Sequence, residues 1–201
     1  MALAVIDAIW SIGVRYGAVG KVVDAYRRVR RDEGGQPDRD DLPELLDHYE
    51  RIGGPEQFAI QVRNRQRVST HPGAIRKAEA VHRAASGLKQ VGVSTCAQLR
   101  ASVTATGLDA SPAKKIWLAV PGQRSGISWR YLLMLVGIPN VKPDRWICRF
   151  VARSLEREDV VPDSAACLVE RAAELLGVSP TVLDHEIWRY ERGVRRTTPL
   201  R

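Results

Sequence analysis

Val120-Pro-Gly-Gln-Arg-Ser-Gly-Ile-Ser-Trp129, followed by an apolar run to Gly137 and then by Lys142-Pro-Asp-Arg-Trp-Ile-Cys-Arg-Phe150, is the stretch whose reading decides the fold. Pro121-Gly122 and Ser125-Gly126 are turn punctuation. Ile127, Tyr131, Leu132, Met134 and Leu135 recur at helical spacing, so a tight Gly-containing turn opens a buried helix that ends near Gly137-Ile-Pro139. Such a turn points several backbone N–H groups one way, which at a helix N-terminus suits a phosphate oxygen. A second turn, built on Pro139-Asn140 and Pro143, delivers Asp144 to the start of another helix with Trp146, Ile147, Phe150 and Val151 as apolar positions.

Upstream, Ser111-Pro112 reads as an N-cap with Pro at N1, opening the helix that precedes the turn and carries Ile116, Leu118 and Ala119. Leu3 to Val14 is almost wholly apolar but too short for a bilayer, which needs about twenty apolar residues. It also lacks a basic n-region and a cleavage site. Ala2 to about Arg30 is read as one or two buried helices with a break at Ser11-Ile-Gly13. Arg27, Arg28, Arg30 and Arg31 end this segment, answering either the helix macrodipole or a polyanion. Asp32 to Asp41 is a polar, acidic loop.

The spacing predicts further helices over about Pro43 to Arg51, around Phe58 to Val62, and over Pro72 to Leu88 with a Ser69 or Thr70 cap. Others are expected around Ala97 to Leu99 after a Ser94 cap, from an Asp163 cap with Leu168, Ala172 and Leu175 as apolar positions, and from Ser179-Pro180 onward. Ala101 to Thr106 is ambiguous between helix and strand. The fold expected is all-α, with roughly ten helices and short loops.

These residues resemble the helix-hairpin-helix (HhH-GPD) DNA glycosylases, endonuclease III-like. Val120-Pro-Gly resembles the Leu-Pro-Gly that opens the family's hairpin, and Gly137 the glycine closing the next helix. Asp144 with Arg149 matches its aspartate and the basic residue beyond. Weaker similarity extends to the Ser11 region, Lys21 and Asp184-His-Glu-Ile-Trp188. The resemblance implies two helical lobes around a cleft, residues 1–141 with the helix-hairpin-helix over 111–137, and residues 142–201 from the Asp144 helix, with 1–30 joining either. Two positions depart from the pattern: Arg124 replaces the second hairpin glycine, and Gly126 stands where bifunctional members carry a Schiff-base lysine. No lyase step is therefore implied.

The implied chemistry is hydrolysis of the N-glycosidic bond of a flipped-out damaged, mismatched or modified base. Asp144 would stabilise the oxocarbenium-like sugar and orient or deprotonate water. Pro121, Gly122, Gln123, Arg124, Ser125, Gly126, Arg130, Arg145 and Arg149 are the expected DNA contacts, and Tyr16, Trp129 and Trp146 candidate walls of a base pocket. Gly13 falls where many members carry a glutamine that enters the DNA helix, leaving Arg15 or Tyr16 for that contact. Without the resemblance, Asp144 is an N-cap and the tryptophans are core residues; capping would also orient the carboxylate.

Composition bounds the partners. The 201 residues carry 31 Lys and Arg against 23 Asp and Glu, a formal charge of +8. That balance suits a polyanion such as double-stranded DNA or, equally, a basic solvated surface. Cys96, Cys148 and Cys167 are odd in number, widely spaced and free of any C-x-x-C pattern, as in reduced, mostly buried thiols of an intracellular protein. With no cysteine after Cys167, the resemblance excludes the branches holding an iron–sulfur cluster. His48, His71, His82 and His185 lack ligand spacing, so neither metal nor cofactor is expected, and the expectation is a cytoplasmic monomer, nucleoid-associated if bacterial. Three readings stand at this point: a monofunctional DNA glycosylase, a catalytically silent DNA-binding relative, and a basic all-α module for RNA or protein.

Overall fold

The computed structural model describes residues 1–14 and 16–197; Arg15 and the Tyr16 side chain, both offered above for a DNA contact, lie outside the described residues. Among the described residues the fold is all-α. These residues form eleven helices, and the only β pairing among them is an isolated bridge between Arg67 and Arg76. No described helix is long and apolar enough to cross a membrane.

The chain divides into two compact units, Met1–Val136 and Gly137–Arg201. The first is built around α1 (Ala2–Trp10), whose Ala2, Val5, Ile6, Ala8, Ile9 and Trp10 are buried. A helix apolar on nearly every face has to be surrounded. Here α2 (Tyr16–Asp32), α3 (Leu42–Ile52), α5 (Lys77–Gln90) and α8 (Ile127–Leu135) pack against it. The expected break falls between α1 and α2, where Gly13 takes a left-handed φ of 66°. Phe58 of α4 (Pro55–Gln61) stacks on Tyr49 with ring centroids 4.4 Å apart and planes 11° from parallel, and also meets Trp10 and Tyr26. Such a ring pair contributes about 0.5–1.5 kcal/mol beyond its area burial.

The acidic loop answers the basic end of α2. Arg30 Nε donates to Asp40 at 2.7 Å, Tyr26 donates its hydroxyl to the same carboxylate at 2.8 Å, and Arg27 pairs with Asp38 at 2.8 Å. Burial works to raise the Asp40 carboxyl, but the bonds from Arg30 and Tyr26 outweigh it and hold it below its ordinary value. Three of the four arginines at this end, Arg27, Arg30 and Arg31, are thus paired within the fold.

Several boundaries differ from expectation. The Pro72 helix begins only at Lys77, with neither Ser69 nor Thr70 capping it, because Pro72-Gly73 makes a turn within a hairpin-like excursion. Val68 N–H donates to Ile75 O at 3.0 Å there, and Gly73 has φ 78°. Residues 101–106 are helical: α6 (Cys96–Thr106) starts at a capping box made by Thr95 and Gln98, one residue after Ser94. In the second unit α10 (Pro162–Leu176) is capped at Val161, and Asp163 lies inside its first turn. It buries Ala165, Ala166, Val169 and Ala173, leaving Leu168 44% and Leu175 75% exposed. The small apolar residues, not the bulkier leucines, make its buried side, and with alanines on several faces the pattern alone does not fix that phase.

Lys77 shows how α1 ends. The lysine is buried, and its Nζ donates to Trp10 O at 2.9 Å and Ile12 O at 2.6 Å, satisfying carbonyls that a helix C-terminus leaves without partners. Burial lowers its pKa to about 8 from 10.5. Between those values the unfolded chain holds the proton that the folded chain has shed, so stability from this group rises with pH. Denaturant unfolding of the wild type against Lys77→Met is expected to show the difference moving toward the wild type by about 1–2 kcal/mol from pH 7.5 to 9.5. A flat difference would mean that the lysine is not buried as described.

Candidate functional site

The candidate residues lie on two segments, one in each unit. In the first, α7 (Pro112–Ala119) and α8 are joined by residues 120–126. Ser111-Pro112 opens α7 as the N-cap and first-turn proline the sequence suggests. The turn needs its glycines: Gly122 has φ 84° and Gly126 φ 75°, a region that β-carbon-bearing residues rarely adopt. At Gly122 a β-carbon would also stand 2.6 Å from Val68 Cβ, so the 63–76 excursion buttresses the turn from behind.

Gln123 and Trp129 are corrected from their expected roles. The Gln123 side chain is fully buried and closes a chain in which Trp117 Nε1 donates to Ser128 Oγ at 2.9 Å and Ser128 Oγ donates to Gln123 Oε1 at 2.6 Å. Its side-chain amide donates to Pro121 O at 3.5 Å, and its backbone N–H to Val120 O at 3.0 Å. A buried amide takes such partners because leaving it unpaired would cost about 1–3 kcal/mol. Trp129 is 2% exposed and packs against Trp117 with ring centroids 6.4 Å apart, so it is core rather than pocket wall. Pro121, Gly122, Arg124 and Ser125 remain exposed on the turn, and among the described residues the amides of Arg124 and Ser125 donate to no backbone carbonyl. Arg130 is half-buried one turn into α8, close enough to Asp109 to lower that carboxyl alongside Lys114.

In the second unit, residues 137–144 lead into α9 (Arg145–Ser154), which buries Ile147, Val151 and Ala152 against α10 and α11 (Pro180–Thr197). Asp144 is the N-cap: its φ and ψ are −80° and −179°, and its carboxylate accepts the Trp146 N–H at 2.8 Å. Arg145, Arg149 and Arg153 follow at intervals of four, forming a row along the helix. Trp146, half-buried, has the guanidinium of Arg145 5.0 Å from its ring centroid and that of Arg149 at 5.7 Å. Arg145 and Arg149 pair with no carboxylate among the described residues, whereas Arg153 is taken up by Glu191.

Three residues of α11 carry no assigned role in the sequence reading. Arg192 lies over Trp188 at 4.3 Å on α11, and His185 stacks on the same ring at 5.6 Å. The third is Asp184, buried one turn before Trp188, whose Oδ2 accepts the Lys142 N–H at 2.9 Å. Burial, then the charge of Asp144, push the Asp184 carboxyl up to about 7, against the Lys142 bond that lowers it. Asp144 adds to burial in raising the Cys148 thiol as well. The carboxylate of Asp144 thus faces a neutral thiol and a carboxyl that holds its proton more tightly than an ordinary aspartate. Among the described residues no cluster of His, Cys, Asp and Glu has the arrangement of a metal site.

The cap role is separable from any chemistry. Asp144→Ala is expected to lower stability by about 1 kcal/mol, and Asp144→Asn by a small fraction of that, because Asn keeps an oxygen for the Trp146 N–H. Thermal unfolding of both variants checks this, and equal losses would show that the bond to Trp146 does not carry the cap.

No curated protein and no solved structure matches the chain. A family profile does match, over residues 1–192, which is nearly the whole sequence. The chain belongs to that family, described as Domain of unknown function (DUF8548).

Proposed function

We propose that the protein is a monofunctional DNA glycosylase that uses Asp144 as its essential carboxylate. The observation that carries this reading is the head of α9: a carboxylate held by the Trp146 N–H, with Arg145 and Arg149 both lying over the Trp146 ring. Cleavage of an N-glycosidic bond places positive charge on the sugar, and a pre-oriented carboxylate stabilises it without reorganising at the moment of reaction. Guanidinium groups and an aromatic ring beside that acid suit the phosphates and the extruded base of a distorted duplex. The Gly122 to Gly126 turn supports the same reading, since it offers exposed amides and Arg124 at the start of α8 to a phosphate. Gly126 leaves no lysine at this turn for a Schiff base, in keeping with hydrolysis by water.

A catalytically silent DNA-binding relative is the second reading, favoured by Arg124 at the position where the resembled hairpin has glycine.

The deciding assay is base release from duplexes carrying deaminated, oxidised, alkylated or mismatched bases, read as alkali-labile abasic sites. Asp144→Asn is expected to lower release about 10²–10³-fold while leaving duplex affinity unchanged. Unaltered release in the variant would remove Asp144 from the mechanism. Salt-sensitive duplex binding without release by the wild type would move the reading to the silent relative. In the same titrations Arg145→Ala and Arg149→Ala should each reduce the slope of log affinity against log salt by about 1. Binding that ignores salt would remove DNA as the partner.

A further inference from the structure

We infer that Asp184 is the positioning residue of the Asp144 site, holding the Lys142 peptide that in turn holds the Asp144 backbone. The inference rests on the reading of Asp144 as the working carboxylate, but its geometry stands apart from it. Asp184 Oδ2 accepts the Lys142 N–H at 2.9 Å, and the Lys142 carbonyl accepts the Asp144 N–H at 2.7 Å. One residue therefore links the two aspartates: the Lys142 N–H is bonded to Asp184 and its carbonyl to Asp144, on the two peptide units that flank its Cα.

The same loop is fixed a second time by α11. Thr181 Oγ1 accepts the Asn140 N–H at 3.1 Å and donates to Asn140 O at 3.1 Å, while the Asn140 side chain accepts the Val141 N–H at 3.0 Å. Thr181 and Asp184 lie three residues apart, on adjoining positions of one helix face, so α11 grips alternate residues of the loop, Asn140 and Lys142. Asn140 and Asp184 are buried, and Val141 is part of the core that α9, α10 and α11 share. A loop held at this many points leaves the carboxylate of Asp144 little freedom beyond its own side-chain torsions.

A backbone amide could have been satisfied by a neutral acceptor. A buried carboxyl costs more, and this one carries the added repulsion of Asp144. Among the described groups, those that act on it are Asp144 at the head of α9 and Lys142 in the loop. Because its folded pKa, about 7, lies above the ordinary 3.8, its stabilising contribution is complete below the ordinary value and is lost as pH rises toward 7. Loss of its proton near neutrality places a negative charge close to Asp144 and strengthens the grip on the Lys142 N–H, so the loop that carries Asp144 feels the titration of Asp184.

The test uses the whole chain. In the wild type the Lys142 amide and the Asp144 side-chain carboxyl, followed by NMR, should both report a titration near pH 7 that disappears in Asp184→Asn. In base release, Asp184→Leu, which removes the acceptor, should lower kcat about 10–100-fold with KM little changed. Asp184→Asn, which keeps an oxygen for the Lys142 N–H, should recover most of that kcat while losing the component of the pH profile centred near 7. An Asp184→Leu spectrum that is native outside residues 137–145 separates displacement from unfolding. Equal losses in the Leu and Asn variants, or a Lys142 amide that does not respond near pH 7, would overturn the inference. If the wild type releases no base from any duplex, the glycosylase reading fails, and the NMR titration alone decides whether Asp184 governs the Asp144 loop.

Discussion

A nine-residue helix with almost no polar face sets the terms for the first unit. Because α1 has nowhere to meet water, it has to be wrapped, and α2, α3, α5 and α8 are the wrapping. One consequence reaches the candidate site. The helix that follows the Gly122 to Gly126 turn packs on α1 and buries Leu132 and Leu133, so the turn sits on a packed helix rather than on a loop. Its interior side is closed by Gln123, Ser128 and Trp117, and its back by Val68. What is left facing outward is the part that a phosphate could meet.

The second unit solves a different problem, that of carrying an acid and several arginines on a small helical core. Ile147, Val151, Ala165, Val169 and Ile187 supply that core, while Asp144 is drawn to its edge by the demand of α9 for a cap. Capping and catalysis make compatible demands on a carboxylate: both want it ionised, oriented and backed by N–H donors. The arginine row along α9 then lies on the same helix as the acid, one turn away.

How much of this could be read in advance depends on the range of the physics involved. The all-α class, the break after α1, the Ser111-Pro112 start and the cap at Asp144 rest on local rules of periodicity and terminal chemistry, and all were legible. The phase of α10 was not, because alanines on several faces leave the choice to its packing partners. Nor was the start of α5: Pro72-Gly73 is as good a hairpin turn as a helix start, and the bond between Val68 and Ile75 decided it. Gln123 reads as a polar residue in an exposed turn until Ser128 and Trp117 are seen beneath it. Asp184 was least legible of all, since its meaning lies in a bond to an amide 42 residues away.

The buried amine of Lys77 makes the chain its own reporter. Near pH 8 a substantial fraction of that amine is the unprotonated, nucleophilic form, as few lysines are at that pH, yet it is enclosed against the last turn of α1. An acylating reagent reaches it only after α1 has let go of its wrapping. The rate at which Lys77 is modified, set against that of exposed lysines such as Lys21 and Lys89, therefore counts openings of the first unit, with no probe added to the protein.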